Sequence, residues 1–204
     1  MEYLKTREEL RQIYEDPGAK GKRKELSRLD AHARNFLARS PFVLIGTQDA
    51  DGNADVTPKG DKPGFVAILD DLTIAIPDRP GNNRCDTLEN LLVNPAIGLI
   101  FLIPGMNETL RINGEARITI DKDLRESLSV AGKAPQAVIV VKLRTHYMHC
   151  AKAFMRSELW EPSSWRPRAE MPTLGEILKD QMSLPESARE TDIWLDEAYR
   201  ASMW

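Results

Sequence analysis

The residues from Pro77 to Arg84, Pro-Asp-Arg-Pro-Gly-Asn-Asn-Arg, have the types and spacing needed to bind an anion. Two prolines and a glycine exclude regular structure, so the chain must turn between a strand-like run, Leu72 to Ile76, and a helix-like run, Cys85 to Val93. The turn carries arginines and asparagines to the start of a helix, where free N–H groups and the helix dipole attract negative charge. This combination predicts a phosphate site that needs no metal. The alternative is a polar loop whose arginines are solvated.

Other side chains with possible chemistry have weaker patterns. His146 and His149 have a spacing found among metal ligands, but one histidine pair is a weak signal, and we expect no metal. Cys85 and Cys150 lack the spacing of a metal site or a disulfide framework, and we expect Cys150 to be buried and inert. No Gly-x-Ser-x-Gly, P-loop or Rossmann glycine pattern occurs in the sequence. The functional prediction therefore depends on the loop.

The composition excludes several classes of protein. The chain has 204 residues, 42% of them hydrophobic, and a formal net charge of −3. The basic run Lys20 to Lys24 lies between two predicted helices and is typical of a solvated linker, so we expect no nucleic-acid partner. The longest apolar stretch, Ala96 to Pro104, is too short for a membrane span. Met1 to Arg7 has no apolar core for a signal peptide, and the cysteines suit a reducing compartment, so we expect a cytoplasmic protein and no membrane partner.

Helix signals mark both ends of the chain. Thr6-x-x-Glu9 has the pattern of a capping box and predicts a short helix that stops before Pro17-Gly18. Apolar residues at helical spacing predict a second helix from Glu25 to Ala38. The tail is rich in proline and arginine from Glu161 to Pro172. After it we predict two helices, Leu174–Met182 and Asp192–Met203.

The middle of the chain predicts six or seven strands with short connections. The segments are Phe42–Thr47, Ala54–Thr57, Gly64–Leu69, Leu72–Ile76, Ala96–Ile103, Thr109–Ile120 and Gln136–Tyr147. The Asp-Gly pair within Asp49–Asn53 predicts a hairpin, and the unbroken apolar run Ala96–Ile103 predicts a strand buried on both faces. Short links favour antiparallel pairing, so the chain is predicted to be mainly β, with flanking helices around a small barrel.

Two helices are predicted within this β region. One runs from Asn83 to Val93, and the other from Lys122 to Ala131. The first has Leu88, Leu91 and Leu92 on its predicted buried side. The predicted organisation is a single domain in three parts: amino-terminal helices in residues 1–40, a barrel in 41–160 and a helical tail in 161–204.

The order of motifs resembles the FMN-binding split barrel of the pyridoxamine 5'-phosphate oxidase-like family. Val56-Thr57-Pro58-Lys59-Gly60 precedes the Pro77–Arg84 loop, and Glu108-Thr109-Leu110-Arg111-Ile112-Asn113-Gly114 follows it. The loop, together with the Lys-Ala-x-x-Arg-Ser-x-Leu-Trp motif at Lys152–Trp160, is similar to an uncharacterised flavin-nucleotide-binding branch. The resemblance covers Phe36 to Trp160. It implies a six-stranded antiparallel Greek-key barrel and a homodimer with FMN at the subunit interface, in two equivalent sites.

The resemblance also implies roles for individual residues. Asn83 and Arg84, with Asn82 beside them in the turn, match the residues that hold the FMN phosphate. Lys59 matches a second cation on the phosphate side, although a solvated turn lysine is the alternative. Three residues would lie along the isoalloxazine ring, and an arginine there would stabilise reduced FMN. They are Pro77, Asp78 and Arg79.

Later segments supply further candidates. Glu108, Thr109 and Arg111 fall where the family offers a polar side chain from a neighbouring strand. Glu108 could instead be a turn residue, and Arg111 could form a cross-strand ion pair with Glu115 or Glu126. Lys152 and Arg156 share a helical face that could meet solvent, a dimer partner or the phosphate. Trp160 and Trp165 could cover the flavin or pack the tail.

These features predict an FMN flavoprotein, an oxidoreductase acting on an unknown small molecule. Flavin redox chemistry needs no protein nucleophile, so the absence of a catalytic triad does not count against it. The tail from Glu161 to Trp204 does not resemble that of the pyridoxine-pathway enzyme, which disfavours pyridoxamine phosphate as substrate. The alternatives are a flavin carrier or stress-related binding module without turnover, and a haem-binding relative with His146 or His149 as axial ligand.

Overall fold

The computed structural model describes residues 1–16, 18 and 23–203. The first helix, α1 (Arg7–Ile13), begins at the predicted capping box. Thr6 Oγ1 accepts a hydrogen bond from the Glu9 backbone N–H at 3.2 Å, and the Glu9 carboxylate accepts one from the Thr6 N–H at 3.3 Å. The predicted stop at Pro17 and the basic residues Lys20 and Lys22 lie outside the described residues.

Seven strands form one antiparallel sheet, which confirms the predicted split-barrel fold with seven strands rather than six. They are β1 (Phe42–Gln48), β2 (Ala54–Gly60), β3 (Ala67–Ile68), β4 (Thr73–Asp78), β5 (Ala96–Leu102), β6 (Thr109–Thr119) and β7 (Ala137–His149). The strand order is β2-β1-β5-β6-β7-β4-β3. Gln48 pairs with Ala54, so the predicted hairpin between β1 and β2 is confirmed.

Helices flank the sheet and form the tail. They are α2 (Ala31–Leu37), α3 (Asp86–Val93), α4 (Lys122–Ser127), α5 (Lys152–Ser157), α6 (Leu174–Met182) and α7 (Ala188–Ser202). Single 3-10 turns occur at Pro162–Ser164 and Arg168–Glu170. In the tail, α6 has its predicted bounds, while α7 begins before the predicted Asp192 because Ser187 and Glu190 form a capping box. Across the residues that the structure describes, no helix has the length and apolar character required to cross a bilayer.

The second predicted helix is much shorter than expected. Asp30 caps α2 by accepting a hydrogen bond from the Ala33 N–H at 2.8 Å, so the helix begins at Ala31 and not at Glu25. The residues before it pair with the sheet instead. The backbone N–H of Leu26 donates to the His146 carbonyl at 3.0 Å, and that of Leu29 donates to the Asp71 carbonyl at 2.8 Å.

Three other predicted elements are shorter than expected, and each prediction included a left-handed residue. Gly64 has a φ of +82°, and β3 is limited to Ala67–Ile68 instead of Gly64–Leu69. Asn83 and Cys85 have φ values of 58° and 60°, so α3 begins at Asp86 and not at Asn83. Ala131, with a φ of 50°, lies beyond α4, which ends at Ser127. A left-handed residue cannot continue a right-handed helix or a strand.

The core fills the inside of the curved sheet. Its fully buried side chains include Val43, Ile45, Ile74, Ile76, Leu99, Phe101, Leu110, Ile112, Ile139 and Val141. Phe36 and Leu37 of α2 and Leu91 of α3 pack against this core. Leu92, predicted on the buried side of α3, is 75% exposed. The predicted burial of β5 on both faces is also wrong in the single chain, because Ile97, Leu99 and Phe101 are buried while the residues between them are partly open.

Candidate functional site

The Pro77–Arg84 loop forms one wall of a cleft of about 490 Å³. Strand β2 forms another wall, and the first turn of α3 closes one end. Ligand-binding clefts commonly have volumes of about 300–1,000 Å³. Seven of the predicted site residues line the cleft. They are Lys59, Pro77, Asp78, Arg79, Asn82, Asn83 and Arg84.

Backbone conformation shapes the corner where the loop meets α3. Asn83 and Cys85 are both left-handed, with Arg84 between them. Asparagine tolerates this conformation, but a cysteine there costs roughly 1–2 kcal/mol. Cys85 is the N-cap of α3 and makes no side-chain cap hydrogen bond, so it leaves the N–H groups of the first helical turn without a capping acceptor. Within the loop, the Arg84 N–H donates to Asn82 Oδ1 at 3.1 Å.

Each cation of the cleft is paired with a carboxylate. Lys59 Nζ lies 2.6 Å from Asp78 Oδ1, and both side chains are 19% exposed. Arg79 Nε lies 2.7 Å from Asp61 Oδ2, and Arg79 Nη1 also donates to the Leu128 carbonyl at 2.9 Å. These two arrangements are largely enclosed and fix the cations in place.

The third pair is open to solvent. Arg84 Nε lies 2.8 Å from Asp86 Oδ2, and the Arg84 side chain is 74% exposed. Exposed pairs of this kind contribute about 0–1 kcal/mol, so a stronger anion can take the place of Asp86. Arg84 is therefore the cleft cation that an incoming ligand reaches at least cost.

Sequence reasoning did not identify several polar residues of this region. Asp55 and Thr87 line the cleft, and Thr87 Oγ1 donates to Asp55 Oδ2 at 3.4 Å. Asp61 and Asp86 supply carboxylates to the arginines. Asp86 and Thr87 follow the loop by two and three residues, in the first turn of the predicted helix, so their place in the sequence could have identified them. Asp61 gave no such signal, because its partner Arg79 is distant in the chain.

A second group of predicted residues lies outside the cleft lining, where β6 begins and β7 ends. Thr109 pairs with His149, and Arg111 pairs with Tyr147. The Arg111 guanidinium carbon lies 5.4 Å from the centroid of the Tyr147 ring. The alternative ion pairs predicted for Arg111 are not formed. Glu115 accepts from Arg144 at 2.9 Å, and Glu126 lies 3.8 Å from Lys122 Nζ.

The remaining predicted site residues also lie outside the cleft lining. Lys152 and Arg156 are both on α5, as their spacing predicted, and both are exposed. Glu108 is exposed, whereas Thr109 is buried. Trp160 Nε1 donates to the Met106 carbonyl at 2.9 Å, and its ring stacks on Phe154. Trp160 thus contacts α5 and the segment before β6.

The histidines and cysteines are the remaining residues with possible chemistry. In the described ranges, no group of three or more potential metal-binding side chains occurs. His146 is buried, and its Nε2 lies 2.7 Å from the Arg28 carbonyl oxygen, so this nitrogen is already engaged. Burial, followed by the charges of Arg111 and Lys24, lowers the pKa of His149 below its ordinary value. Cys150 is exposed, contrary to the sequence prediction.

Comparison with known proteins gives one family match. The family model described as Pyridoxamine 5'-phosphate oxidase matches residues 29–150. Among solved structures, a putative pyridoxamine 5'-phosphate oxidase from Lactobacillus delbrueckii is 21% identical, over 61% of this chain and 98% of that chain, with a TM-score of 0.49. HupZ from Group A Streptococcus is 18% identical, over 59% of this chain and 93% of that chain, with a TM-score of 0.49. The FAD binding protein from Mycobacterium smegmatis is 16% identical, over 60% of this chain and 98% of that chain, with a TM-score of 0.41. No curated protein matches the chain.

Proposed function

Since the chain belongs to the pyridoxamine 5'-phosphate oxidase family, we propose that it is an FMN-binding oxidoreductase that acts on a small molecule. The family resemblance predicted from the motifs is confirmed by the match over residues 29–150. FMN as the particular flavin, the homodimer and the cytoplasmic location are parts of this proposal. Two free cysteines support a reducing compartment.

One observation carries the proposal: the exposed Arg84 side chain and the uncapped first turn of α3 meet at one corner of the cleft. A phosphate monoester has a charge of about −1.5 to −2 near neutral pH and three acceptor oxygens. Helix N–H groups and a guanidinium fork are the donors that such a group needs. Arg84, Asn82 and Asn83 would therefore hold the phosphate of FMN.

The rest of the cleft suits the flavin ring. Its volume is in the range of small-molecule sites, and its lining combines apolar residues such as Pro77 and Phe65 with paired charges. Arg79 is held by Asp61 and by the Leu128 carbonyl, so its charge would be fixed beside the ring. Bound FMN would supply the electron-transfer chemistry, and the protein's part is binding, orientation and electrostatics.

The residues outside the cleft lining support a shared site. Glu108 lies directly before β6, Thr109 and Arg111 lie at its beginning, and Lys152 and Arg156 lie on α5. None of these five residues lines the cleft of its own chain. In a two-fold dimer each of two equivalent sites contains segments of both subunits. We propose that these residues complete the site of the partner subunit in a homodimer.

Equilibrium titration of the purified protein with FMN, followed by quenching of flavin fluorescence, tests the proposal. We expect Arg84→Ala to weaken FMN binding by roughly 1.5–3 kcal/mol, the range for a lost hydrogen bond to a charged group. Arg144→Ala is the matched control, because Arg144 is exposed and also paired with a carboxylate, Glu115, away from the cleft lining. Equal FMN affinity in the wild type and Arg84→Ala would remove Arg84 from the site.

Turnover is measured separately from binding. An oxidoreductase that has FMN bound should oxidise a reduced nicotinamide or reduced deazaflavin donor over many cycles, with dissolved oxygen accepting the electrons from the reduced flavin. Steady-state absorbance with each donor measures this directly, and sustained turnover would eliminate the carrier alternative. FMN binding without turnover with either donor would contradict the enzymatic part of the proposal and leave the binding part intact.

A further inference from the structure

Three potential cations lie close together where β6 begins and β7 ends, and two of them lie against one tyrosine ring. We call Lys24, Arg111, Tyr147 and His149 the Arg111 cluster. Lys24 Nζ lies 5.0 Å from the Tyr147 ring centroid, and the Arg111 guanidinium carbon lies 5.4 Å from the same centroid. Both distances are within cation–π range, so the tyrosine holds the two charges close to each other.

Two polar atoms of the cluster are buried without a partner. Arg111 Nε and His149 Nδ1 make no hydrogen bond to any of the residues that the structure describes. A buried donor that is left unsatisfied destabilises the folded state. Folded proteins pair most such atoms, so two of them in one cluster indicate a missing hydrogen-bonding group.

The charges around the two unpaired atoms favour a negatively charged partner. The charges that act on His149 come from Arg111 and Lys24, and both are positive. Among the described residues no carboxylate forms an ion pair with Arg111, because Glu115, the nearest acidic residue along β6, is bonded to Arg144 instead. The cluster thus combines two cations and two unsatisfied polar atoms without a counter-ion.

We propose that the Arg111 cluster binds the carboxylate group of the substrate, which is then a small organic acid. A guanidinium edge donates two parallel hydrogen bonds to the two oxygens of a planar carboxylate. Neutral His149 donates through Nδ1 in one of its tautomers, and Lys24 adds a point charge. This inference rests on the proposed function, since it names the substrate class of an FMN enzyme whose site these residues complete.

Isothermal titration of the full-length protein with benzoate, with and without added FMN, tests the inference. We expect saturable binding that weakens about tenfold or more in Arg111→Met, as the loss of a charged hydrogen bond predicts. Arg144→Met is the control, because it removes an exposed arginine from the neighbouring strand β7, and it should bind benzoate like the wild type. Arg111→Lys keeps the positive charge but lacks the two parallel N–H donors of the guanidinium, so it should also weaken benzoate binding. It serves as the test variant if Arg111→Met fails to fold.

Three results would overturn the inference. The first is no benzoate binding with or without FMN, and the second is equal benzoate affinity in the wild type and the Arg111 variants. The third is that inorganic phosphate displaces benzoate as effectively as acetate does. The last result would assign the cluster to a phosphate and not to a carboxylate. FMN affinity is measured on the same samples. A wild-type protein that does not bind FMN would contradict the proposed function, whatever the benzoate result.

Discussion

Lys59 and Asp78 form an ion pair between two strands that are not neighbours in the sheet. Lys59 lies on β2 at one edge, Asp78 ends β4 next to the other edge, and their charged atoms are 2.6 Å apart. Arg79, directly after Asp78, and Asp61, two residues after Lys59, form a second pair at 2.7 Å. The sheet must therefore curve until its two ends approach each other. The cleft lies at this closure, so the contacts that close the barrel also build the candidate site.

A double-mutant cycle measures how much the Lys59–Asp78 pair contributes to closure. We expect Lys59→Met and Asp78→Asn each to lower the free energy of unfolding by about 1–3 kcal/mol, between the values for surface and buried pairs. The double variant should lose less than the sum of the two, because neither partner is left unpaired. Urea denaturation measures all four proteins. Additive losses would show that the two side chains do not depend on each other.

Asp86 competes with an incoming phosphate for Arg84. Its Oδ2 lies 2.8 Å from Arg84 Nε in an exposed pair. Asp86→Asn removes both the competitor and a like charge, so FMN affinity should increase by about 0.3–1 kcal/mol, roughly two- to fivefold. The unfolding free energy should fall by about 0.3–1 kcal/mol, because an acidic side chain in the first turn of α3 stabilises the helix dipole.

Fluorescence titration and urea denaturation measure the two effects of Asp86→Asn. The control is Asp196→Asn, since Asp196 also forms an exposed pair with an arginine, Arg200, but on the tail helix α7. FMN affinity in the control should equal that of the wild type. An Asp86→Asn variant that binds FMN no more tightly than the wild type would contradict the competition.

Local signals predicted much of the fold. The capping box at Thr6 and Glu9, the hairpin at Asp49–Asn53 and the bounds of α6 all follow from residues close together in the chain. Strand β6 begins at the predicted Thr109 and ends at Thr119, one residue before the predicted Ile120. Such elements depend on neighbouring residues, so a single sequence contains the information needed to place them.

The errors occur where distant contacts override local pattern. Leu26 and Leu29 have helical spacing, but their N–H groups donate to His146 and Asp71 on the sheet. Leu92 fits the apolar face of α3, yet it is exposed in the single chain. For Leu26 and Leu29 the tertiary partner decides the conformation, and no local pattern identifies that partner.

The candidate site was predictable in part for the same reason. The residues of the Pro77–Arg84 loop are adjacent in sequence, and the structure brings them to one cleft with Lys59. Asp61 was not predictable, because it meets Arg79 only through barrel closure. The unpaired Nε of Arg111 was not predictable either. From the sequence, Glu115 could have paired with Arg111, but in the structure Glu115 pairs with Arg144.

Gly114 and Gly98 provide a matched pair for testing the close packing of the central strands. A Cβ at Gly114 on β6 would lie 2.2 Å from the backbone oxygen of Lys142, where β6 and β7 change register. A Cβ at Gly98 on β5 would lie no nearer than 3.8 Å to Asn113 Oδ1. We expect Gly114→Ala to lower the unfolding free energy by about 1–3 kcal/mol or more, through overpacking against backbone.

Gly98→Ala should be neutral or slightly stabilising, because alanine loses less conformational entropy than glycine on folding. Urea denaturation of both variants under the same conditions measures the difference. Equal unfolding midpoints for Gly114→Ala and Gly98→Ala would contradict the close approach of β6 and β7 at Gly114.

His149 should make stability depend on pH in the weakly acidic range. Its pKa lies below the ordinary value of 6.5 because burial, and then the charges of Arg111 and Lys24, disfavour the protonated ring. As the pH falls below about 6.5, the unfolded chain binds the proton first, so the free energy of unfolding decreases until the pH reaches the lowered pKa. His149→Gln removes this contribution. Urea denaturation at several pH values between about 7.5 and 5 should therefore show a smaller loss for His149→Gln than for the wild type. Parallel pH profiles for the two proteins would mean that the ring does not titrate in the environment described for it.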